Sequence, residues 1–287
     1  LQEIQRRSKR VEAVIEDIGN PEDLGPASVV ESPMYKEGFS LSPWQRAFVT
    51  EALNHRECFG RVRLLLADEV GLGKTLSLAT ATLVLALQSY TDKQKAKRRR
   101  AKPIAIFAPA TLTEQWQVEL LDKLGVVIGR WSSFHKAWID PKGHIVSPKG
   151  SSEIARCPYR IGVISTGVIS QPTQERDKLS ELRYETVVLD ESHKARERQG
   201  KDSGKANVLM SYAKRFAAQA DNVLLGTATP MQTEIPDLWS QLSVLHQGEG
   251  GFVLGNDLSP WHDPQRVIPL LTGEKQPRDF DEAWDYI

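Results

Sequence analysis

After a short apolar run, the chain reads Ala67-Asp68-Glu69-Val70-Gly71-Leu72-Gly73-Lys74-Thr75, and a long helical pattern follows. Gly71 and Gly73 let the backbone turn and bring its N–H groups close to an anion, because no Cβ is in the way. The helix that begins near Lys74 adds the positive end of its dipole. In such a loop the lysine reaches the terminal phosphates of a nucleotide and the Thr75 hydroxyl ligates Mg²⁺. The loop therefore predicts a phosphate site made of Gly71, Leu72, Gly73, Lys74 and Thr75.

One position of this loop departs from the general pattern for phosphate-binding loops. That pattern, G-x-x-x-x-G-K-[ST], has glycine where this chain has Asp68. Taken alone, the segment could also be a glycine-containing turn between a strand and a helix, with Lys74 and Thr75 adjacent by chance. A second motif is needed to choose between these interpretations.

That second motif reads Val187-Val188-Leu189-Asp190-Glu191-Ser192-His193, an apolar strand that ends in two adjacent carboxylates. In a parallel sheet the carboxyl ends of the strands share one edge, where ligands bind, so both acids can face the loop after Ala67. We assign Asp190 as the carboxylate that holds Mg²⁺, and Glu191 as the one that orients and deprotonates the attacking water. The alternative for an isolated Asp-Glu pair is a solvated strand end.

Length and composition narrow the class of protein. The chain has 287 residues, with 37 basic and 37 acidic side chains, so overall charge indicates neither a nucleic-acid binder nor a membrane binder. Its two cysteines, Cys58 and Cys157, lie far apart, which predicts no disulfide framework and a reducing compartment. The most apolar stretch, residues 76–87, is shorter than the roughly 20 residues that span a bilayer, so we expect no membrane partner.

Short β-rich runs alternate with helical patterns, which predicts an α/β fold with a mostly parallel sheet flanked by helices. The predicted strands cover residues 63–67, 103–108, 126–131, 160–165, 186–190 and 222–225. The predicted helices cover residues 74–90, 112–124, 205–220 and 235–246. Thr111 and Glu114 have the spacing of a capping box for the second helix. We expect a helix and linker over residues 1–40, a nucleotide-binding lobe over 41–246 and an exit segment over 247–287.

Taken in order, the motifs resemble those of superfamily 2 helicase-type motors, most closely the Swi/Snf-like double-stranded DNA translocases. The resemblance rests on Asp68-Glu69-Val70-Gly71-Leu72-Gly73-Lys74-Thr75, Asp190-Glu191-Ser192-His193 and Gly226-Thr227-Ala228-Thr229-Pro230. That family has its own phosphate loop, D-E-x-G-L-G-K-T, which accounts for Asp68. Over residues 41–246 the resemblance implies the first RecA-like lobe of a P-loop ATPase that uses ATP and Mg²⁺ and is stimulated by DNA.

The resemblance also implies binding roles for four other residues. Gln45, at the end of Leu41-Ser42-Pro43-Trp44-Gln45, matches the glutamine that reads adenine, because an amide can pair with both N6 and N7. Thr111, Ser165 and Thr166 lie in segments similar to the family's motifs Ia and Ib, whose hydroxyl-bearing turns accept nucleic-acid phosphates. The alternatives are a surface residue at a helix start for Gln45, and helix capping for Thr111 and Thr166.

Coupling roles follow from the third segment of the resemblance. Thr227 and Thr229 match the motif that links the γ-phosphate to the nucleic-acid track, and His193 is expected to bridge the hydrolytic site to that motif. The alternative for His193 is a cap of the strand end. The sequence of this segment, together with Val70, is more similar to bacterial relatives in RNA polymerase recycling or phage defence than to nucleosome remodellers. We therefore expect a cytoplasmic location.

The implied partners are double-stranded DNA, a second RecA-like lobe of the same protein and further protein partners. ATP lies between the two lobes in this family, and the 58 residues after Thr229 are too few for another lobe. We therefore expect the 287-residue chain alone to bind ATP weakly and to hydrolyse it very slowly. Residues 91–102 hold seven bases and one acid, which indicates either a solvated loop or a contact with DNA phosphates.

Two other functions stay open. One is a non-motor ATP switch that controls a protein partner, which an ATPase rate unchanged by duplex DNA at low salt would favour. The other is an RNA-directed helicase, since Asp190-Glu191-Ser192-His193 differs by one residue from the D-E-A-H form. The phosphate loop argues against it, and comparing stimulation by duplex DNA, single strands and RNA distinguishes the three.

Overall fold

The structure is a computed structural model that describes residues 40–95, 102–196, 207–231, 235–248, 251–256 and 258–278. Its strands are β1 (Arg63–Leu66), β2 (Ile104–Ala108), β3 (Gly129–Ser132), β4 (Ala137–Ile139), β5 (Ile161–Ser165), β6 (Tyr184–Asp190) and β7 (Ala220–Gly226). Its α-helices are α1 (Pro43–Phe59), α2 (Lys74–Lys95), α3 (Thr113–Leu124), α4 (Thr166–Ser170), α5 (Gln174–Leu179), α6 (Val208–Ala218), α7 (Pro236–Leu245) and α8 (Pro264–Leu271). The predicted helix and linker before residue 40, and residues 96–101 of the basic run, lie outside the described residues.

The strands form one seven-stranded sheet in the order β1-β7-β6-β2-β5-β3-β4. Every pairing is parallel except that of β4, which runs antiparallel to β3. Leu66 at the end of β1 and Asp190 at the end of β6 are both paired with Gly226 of β7. The predicted mostly parallel sheet is confirmed, and the carboxyl ends of these three strands lie level with one another.

Helices cover both faces of the sheet, and alternate strand residues divide between two hydrophobic clusters. Ile106 of β2 and Val188 of β6 pack in the cluster that holds Trp116 of α3. Their neighbours Phe107 and Leu189 pack in the other cluster, with helices α4, α6 and α7. This two-residue period is expected of strands buried on both faces. The described residues include no helix with both the length and the apolar character needed to cross a bilayer.

The region around α3 differs from the sequence-based expectation. A short 3-10 helix, Ala110–Leu112, runs directly into α3, and its Leu112 N–H donates to the Pro109 carbonyl at 2.9 Å. The residue before α3 is therefore Leu112, with no side-chain cap, and the capping box predicted for Thr111 and Glu114 is wrong. The strand predicted over residues 126–131 begins only at Gly129, because residue 126 still belongs to the helix end through its N–H bond to the Leu120 carbonyl.

Residues beyond α7, predicted as an exit segment, pack back onto the lobe. Phe252 stacks on Phe59 of α1, with ring centroids 4.5 Å apart. The Trp239 indole N–H of α7 donates to the Trp261 carbonyl at 2.8 Å. Trp239 is buried, so it packs in the interior of the lobe. That a second lobe follows this segment stays a prediction.

The β3–β5 pairing depends on the absence of a side chain at Gly162. A Cβ there would lie 2.6 Å from Cη2 of the buried Trp138 indole. We predict that Gly162→Ala lowers the free energy of unfolding by about 1–3 kcal/mol through overpacking. Gly251→Ala is the control, since its Cβ would meet nothing closer than 3.9 Å. Thermal denaturation of both variants measures the difference, and equal melting temperatures would contradict this account.

Candidate active site

The phosphate loop and the two acids of the second motif meet at the carboxyl edge of the sheet. The loop follows β1 directly, and Asp190 ends β6, two strands away. Neighbouring strands lie about 4.8 Å apart, so the shared register with Gly226 places Asp190 about 10 Å from Leu66. β7 lies between the phosphate loop and the acids, and it ends in Gly226. A Cβ at Gly226 would lie 2.6 Å from Leu78 and 3.8 Å from Asp190 Oδ1, so the space between the loop and the acids contains no side chain from this residue.

The loop has the backbone conformation that its glycines allow. Gly71 and Gly73 have φ of 91° and 76°, in the left-handed region that residues with a Cβ rarely adopt. The Lys74 ammonium folds over the loop and donates to the carbonyls of Asp68 at 2.9 Å and Glu69 at 3.1 Å. The lysine is therefore held at the loop by neutral acceptors that a phosphate oxygen can replace.

The residues present fit a nucleoside triphosphate with Mg²⁺. No atom lies within 4 Å of a Cβ built on Gly71, so the loop opens to space on that side. Thr75 lies in the first turn of α2, where helical N–H groups have no partner within the helix. The described residues contain no cluster of three or more side chains able to hold a metal ion. Mg²⁺ keeps several waters and binds through one or two protein groups plus phosphates, which suits Thr75 and Asp190.

Gln45 lies behind the phosphate loop, with its amide bonded to the chain. Its Nε2 donates to the carbonyls of Leu72 at 3.2 Å and Gly73 at 3.3 Å, and its Oε1 accepts from the Ser42 N–H at 2.9 Å. The neighbouring Trp44 indole N–H also donates to the Leu72 carbonyl, at 3.1 Å. Both side chains thus brace the loop. Recognition of adenine by Gln45 stays a prediction.

Asp190 is a buried carboxylate with two N–H donors. It is 5% exposed, its Oδ2 accepts from the Trp116 indole N–H at 2.8 Å, and its Oδ1 accepts from the Glu191 N–H at 3.0 Å. Burial is the main cause that raises the pKa of Asp190 above its ordinary value, and the Trp116 hydrogen bond opposes it. The charge of Glu191 raises the pKa further, and that of Lys74 lowers it. The two N–H donors therefore compensate the negative charge of ionised Asp190 only in part, and a bound cation would compensate the rest.

Glu191 has a strained backbone and contacts the next motif through His193. Its φ of 53° and ψ of 46° lie in the left-handed region. His193 Nδ1 lies 3.1 Å from Glu191 Oε2 and 2.9 Å from Thr227 Oγ1. Burial lowers the pKa of His193, although the charge of Glu191 raises it. A neutral imidazole with its proton on Nδ1 can donate to either neighbour. His193 thus lies between Glu191 and Thr227, where the bridge was predicted, and the coupling role of His193, Thr227 and Thr229 stays a prediction.

A second link joins the same two motifs through a residue that the sequence analysis missed. Ser192 Oγ donates to Gln241 Oε1 at 2.7 Å, and Gln241 Nε2 donates to the Pro230 carbonyl at 2.7 Å. Ser192 and Gln241 are buried. The sequence did carry a signal for Gln241: a glutamine within the apolar pattern of α7 is buried, and a buried amide needs hydrogen-bond partners. For Trp116, also missed, the signal was an indole on the buried face of α3, whose N–H needs an acceptor.

The remaining predicted residues lie on the same sheet edge. Thr111 is exposed in the turn after β2, and Thr229 is exposed after β7, with its N–H bonded to Thr227 Oγ1 at 3.1 Å. Ser165, not Thr166, caps α4, accepting from the N–H of residue 167 at 3.1 Å. The DNA roles of Thr111, Ser165 and Thr166 stay predictions.

The basic run ends away from this edge. Lys102, its last residue, pairs with Asp221 at the opposite edge of the sheet.

A phosphate loop between β1 and α2, with paired acids at the end of the parallel strand two positions away in the sheet, defines a P-loop NTPase with a RecA-like fold. Within that class the chain belongs to the SNF2-related domain family, whose model matches residues 47–251. It is therefore the first lobe of a Swi/Snf-like, helicase-type ATPase, a family that uses ATP with Mg²⁺. The RecA-like fold and the Swi/Snf relationship expected from the sequence are confirmed.

Known relatives come from eukaryotes, bacteria and archaea. The ISWI chromatin-remodeling complex ATPase ISW1 of Saccharomyces cerevisiae is 26% identical over 75% of this chain. RNA polymerase-associated protein RapA of Erwinia tasmaniensis is 27% identical over 64% of this chain. The chain spans 16% of the length of each. The Sulfolobus solfataricus SWI2/SNF2 ATPase core, solved in complex with dsDNA, superposes on 82% of this chain and 40% of its own, with a TM-score of 0.52 and 20% identity.

Replacing Trp116 tests the compensation of the Asp190 charge. Asp190 has a raised pKa in the fold, so its ionisation lowers stability as the pH rises through that range, and the indole N–H offsets part of this cost. We predict that Trp116→Phe costs about 1–3 kcal/mol of unfolding free energy at neutral pH. The loss should be smaller at acid pH, where Asp190 is protonated.

Trp239→Phe is the matched control, because that indole donates to a carbonyl that does not titrate. Urea unfolding of both variants over a series of pH values measures the effect. A Trp116→Phe loss as independent of pH as the control loss would contradict the assigned role.

Proposed function

We propose that this chain is the ATP-binding first motor lobe of a DNA translocase that couples ATP hydrolysis to movement on double-stranded DNA. One observation carries the proposal: the acid motif at the end of β6 lies level with the phosphate loop, and His193 links its Glu191 to Thr227 after β7. A site that only bound nucleotide would have no use for the second connection. The likeness to a SWI2/SNF2 core solved with dsDNA supports duplex DNA as the track.

In this mechanism the chain holds the nucleotide through its β- and γ-phosphates. Backbone N–H groups of the loop and the first turn of α2 point toward the phosphates, and the Lys74 ammonium exchanges its two loop carbonyls for phosphate oxygens. Thr75 and Asp190 would hold Mg²⁺. The metal ion, when bound, neutralises phosphate charge and favours the leaving group. The raised pKa of Asp190 falls when a cation lies beside it, which stabilises the loaded site.

Glu191 acts as the general base. Its carboxylate, partly exposed and held by His193 Nδ1, can accept a proton from a water that attacks the γ-phosphate. When Glu191 turns to that water, the single Nδ1 proton becomes available to Thr227 Oγ1, 2.9 Å away. The progress of hydrolysis would thereby change the hydrogen bonding of Thr227, which follows β7. A rearrangement there would change how tightly the lobe binds DNA phosphates, with no contact to base edges.

The pathway of the parent protein is a narrower proposal. RapA is an RNA polymerase-associated protein, and ISW1 belongs to a chromatin-remodeling complex. We favour the bacterial setting expected from the sequence of the third motif, in RNA polymerase recycling or phage defence.

Hydrolysis also needs the second lobe. The two lobes would close on ATP and reopen after hydrolysis, so the isolated chain should hydrolyse ATP slowly.

Two substitutions test the assigned chemistry. Lys74→Ala should abolish detectable nucleotide binding, since it removes the positive charge at the phosphates. Glu191→Gln should keep binding but lower the ATPase rate of the two-lobed protein by about 10²-fold or more, because the base is lost. Calorimetry with an ATP analogue measures the binding, and phosphate release measures the rate. Glu181→Gln, at an exposed carboxylate, is the control. Loss of nucleotide binding in Glu191→Gln would contradict the role of Glu191.

The nucleic-acid partner is tested by stimulation of the two-lobed ATPase. Duplex DNA at low salt should raise the rate more than single-stranded DNA or RNA of equal length. Greater stimulation by RNA would favour the RNA-directed helicase. A rate unchanged by every nucleic acid would leave the non-motor switch and overturn the translocase proposal.

A further inference from the structure

A short β-hairpin that no predicted role includes lies on the site edge of the sheet. Strands β3 and β4 are joined by a turn whose tip carries Phe134, and this side chain is 88% exposed. No other aromatic side chain in the part of the chain that the structure describes is so exposed. One exposed apolar side chain is ordinary on a protein surface. Phe134 differs in its position at the edge of the sheet, in the rigidity of the tip and in the charge around it.

Sheet register places this tip beside the motif expected to contact DNA. β3 runs parallel to β5 with Gly129 paired with Gly162 and Arg130 with Val163. Continuing the register by two residues brings Ser132, the last residue of β3, level with Ser165. The hairpin tip therefore extends the carboxyl edge of the sheet just beyond Ser165, on the side away from the phosphate loop.

The tip is held in one conformation. Ser132 Oγ accepts from the His135 N–H at 3.2 Å, and the His135 ring packs edge-on against Phe134, with centroids 4.8 Å apart. Lys136 has a φ of 50°, its carbonyl accepts from the Gly150 N–H at 2.7 Å, and its ammonium pairs with the buried Glu175. Among the described residues only Lys136 and Glu191 combine a side chain with positive φ. A rigid aromatic loses little conformational entropy on binding.

Charge around the hairpin favours a polyanion. Residues 130–160 hold six basic and two acidic side chains, in a chain whose total charge is zero. Three of these bases are in ion pairs: Arg160 with Glu185, Lys136 with Glu175 and Arg156 with Glu153. Lys149 is exposed, and it directly precedes residue 150, whose N–H bonds to the tip. An exposed base on the segment that bonds to the tip, together with an exposed aromatic at the tip, matches the phosphates and the apolar sugar and base edges of a DNA groove.

We propose that the hairpin tip is a second contact with duplex DNA, in which Phe134 packs against sugar and base edges in the groove and Lys149 binds a phosphate. The inference rests on the proposed function, since it extends the same track beyond Ser165. The two residues contribute differently. A phosphate contact releases counterions and depends on salt, whereas an apolar contact does not.

That difference gives the test. The 287-residue chain is titrated onto a short fluorescent DNA duplex of mixed sequence, and binding is followed by anisotropy from about 50 to about 200 mM salt. Phe134→Ala should weaken binding by about fivefold to about a hundredfold at every salt concentration, with an unchanged slope of log affinity against log salt. Lys149→Ala should reduce that slope by about 1. Leu258→Ala removes a 92% exposed side chain elsewhere and should change neither quantity.

Each outcome decides one question. Normal wild-type binding with an unchanged Phe134→Ala affinity would overturn the hairpin contact and leave the proposed translocase intact. A changed salt slope in Phe134→Ala would overturn the apolar role. No binding of the wild-type chain at the lowest salt would overturn the hairpin contact, while stimulation of the two-lobed ATPase by duplex DNA tests the proposed function separately. Circular dichroism melting, expected to be unchanged because Phe134 lies outside the core, shows that each variant is folded.

Discussion

The site depends on the register that sets Leu66 and Asp190 level with Gly226. Two parallel pairings fix the distance between the phosphate loop and the acids before any side chain is considered. A slip of one residue in β6 would turn Asp190 toward the opposite face of the sheet and replace it with an apolar side chain. The hydrophobic clusters on both faces oppose such a slip, because each needs alternate residues of the same strands. The strand register that packs the core is thus the same register that positions Asp190 relative to the phosphate loop.

That constraint brings a carboxylate into a buried position, where its charge is poorly compensated. Asp190 keeps two N–H donors, from Trp116 and from the backbone of Glu191, but burial still raises its pKa. Two hydrogen bonds reduce the desolvation cost without removing it, because neither donor carries a full positive charge. The buried position of Asp190 therefore makes its ionised form costly, and a bound cation would recover part of that cost. This supports the role proposed for Asp190 at Mg²⁺, in addition to the motif.

Local motifs predicted the chemistry of this edge, while tertiary partners escaped prediction. The glycine loop and the paired acids have fixed spacing, and a parallel sheet gathers strand ends, so their meeting follows from sequence and topology rules. The hairpin escaped because its second strand, β4, has only three residues, too few for a clear alternating pattern, although β3 was predicted in part. The capping box at Thr111 failed because a 3-10 turn runs straight into the helix. Gln241 is one glutamine among many until the fold shows that Ser192 and Pro230 lie on its two sides.

The two links between β6 and the segment after β7 differ in kind, and this difference suits a motor. Gln241 binds Ser192 and the Pro230 carbonyl with the two ends of a buried amide, so each end of the amide has its own partner. His193 instead has one Nδ1 atom within reach of two acceptors, Glu191 and Thr227, and it can give its proton to only one fully. The Gln241 link holds the two strand ends together. Under the proposed mechanism, a change at Glu191 would alter the contact between His193 and Thr227 while this fixed link keeps the geometry that catalysis needs.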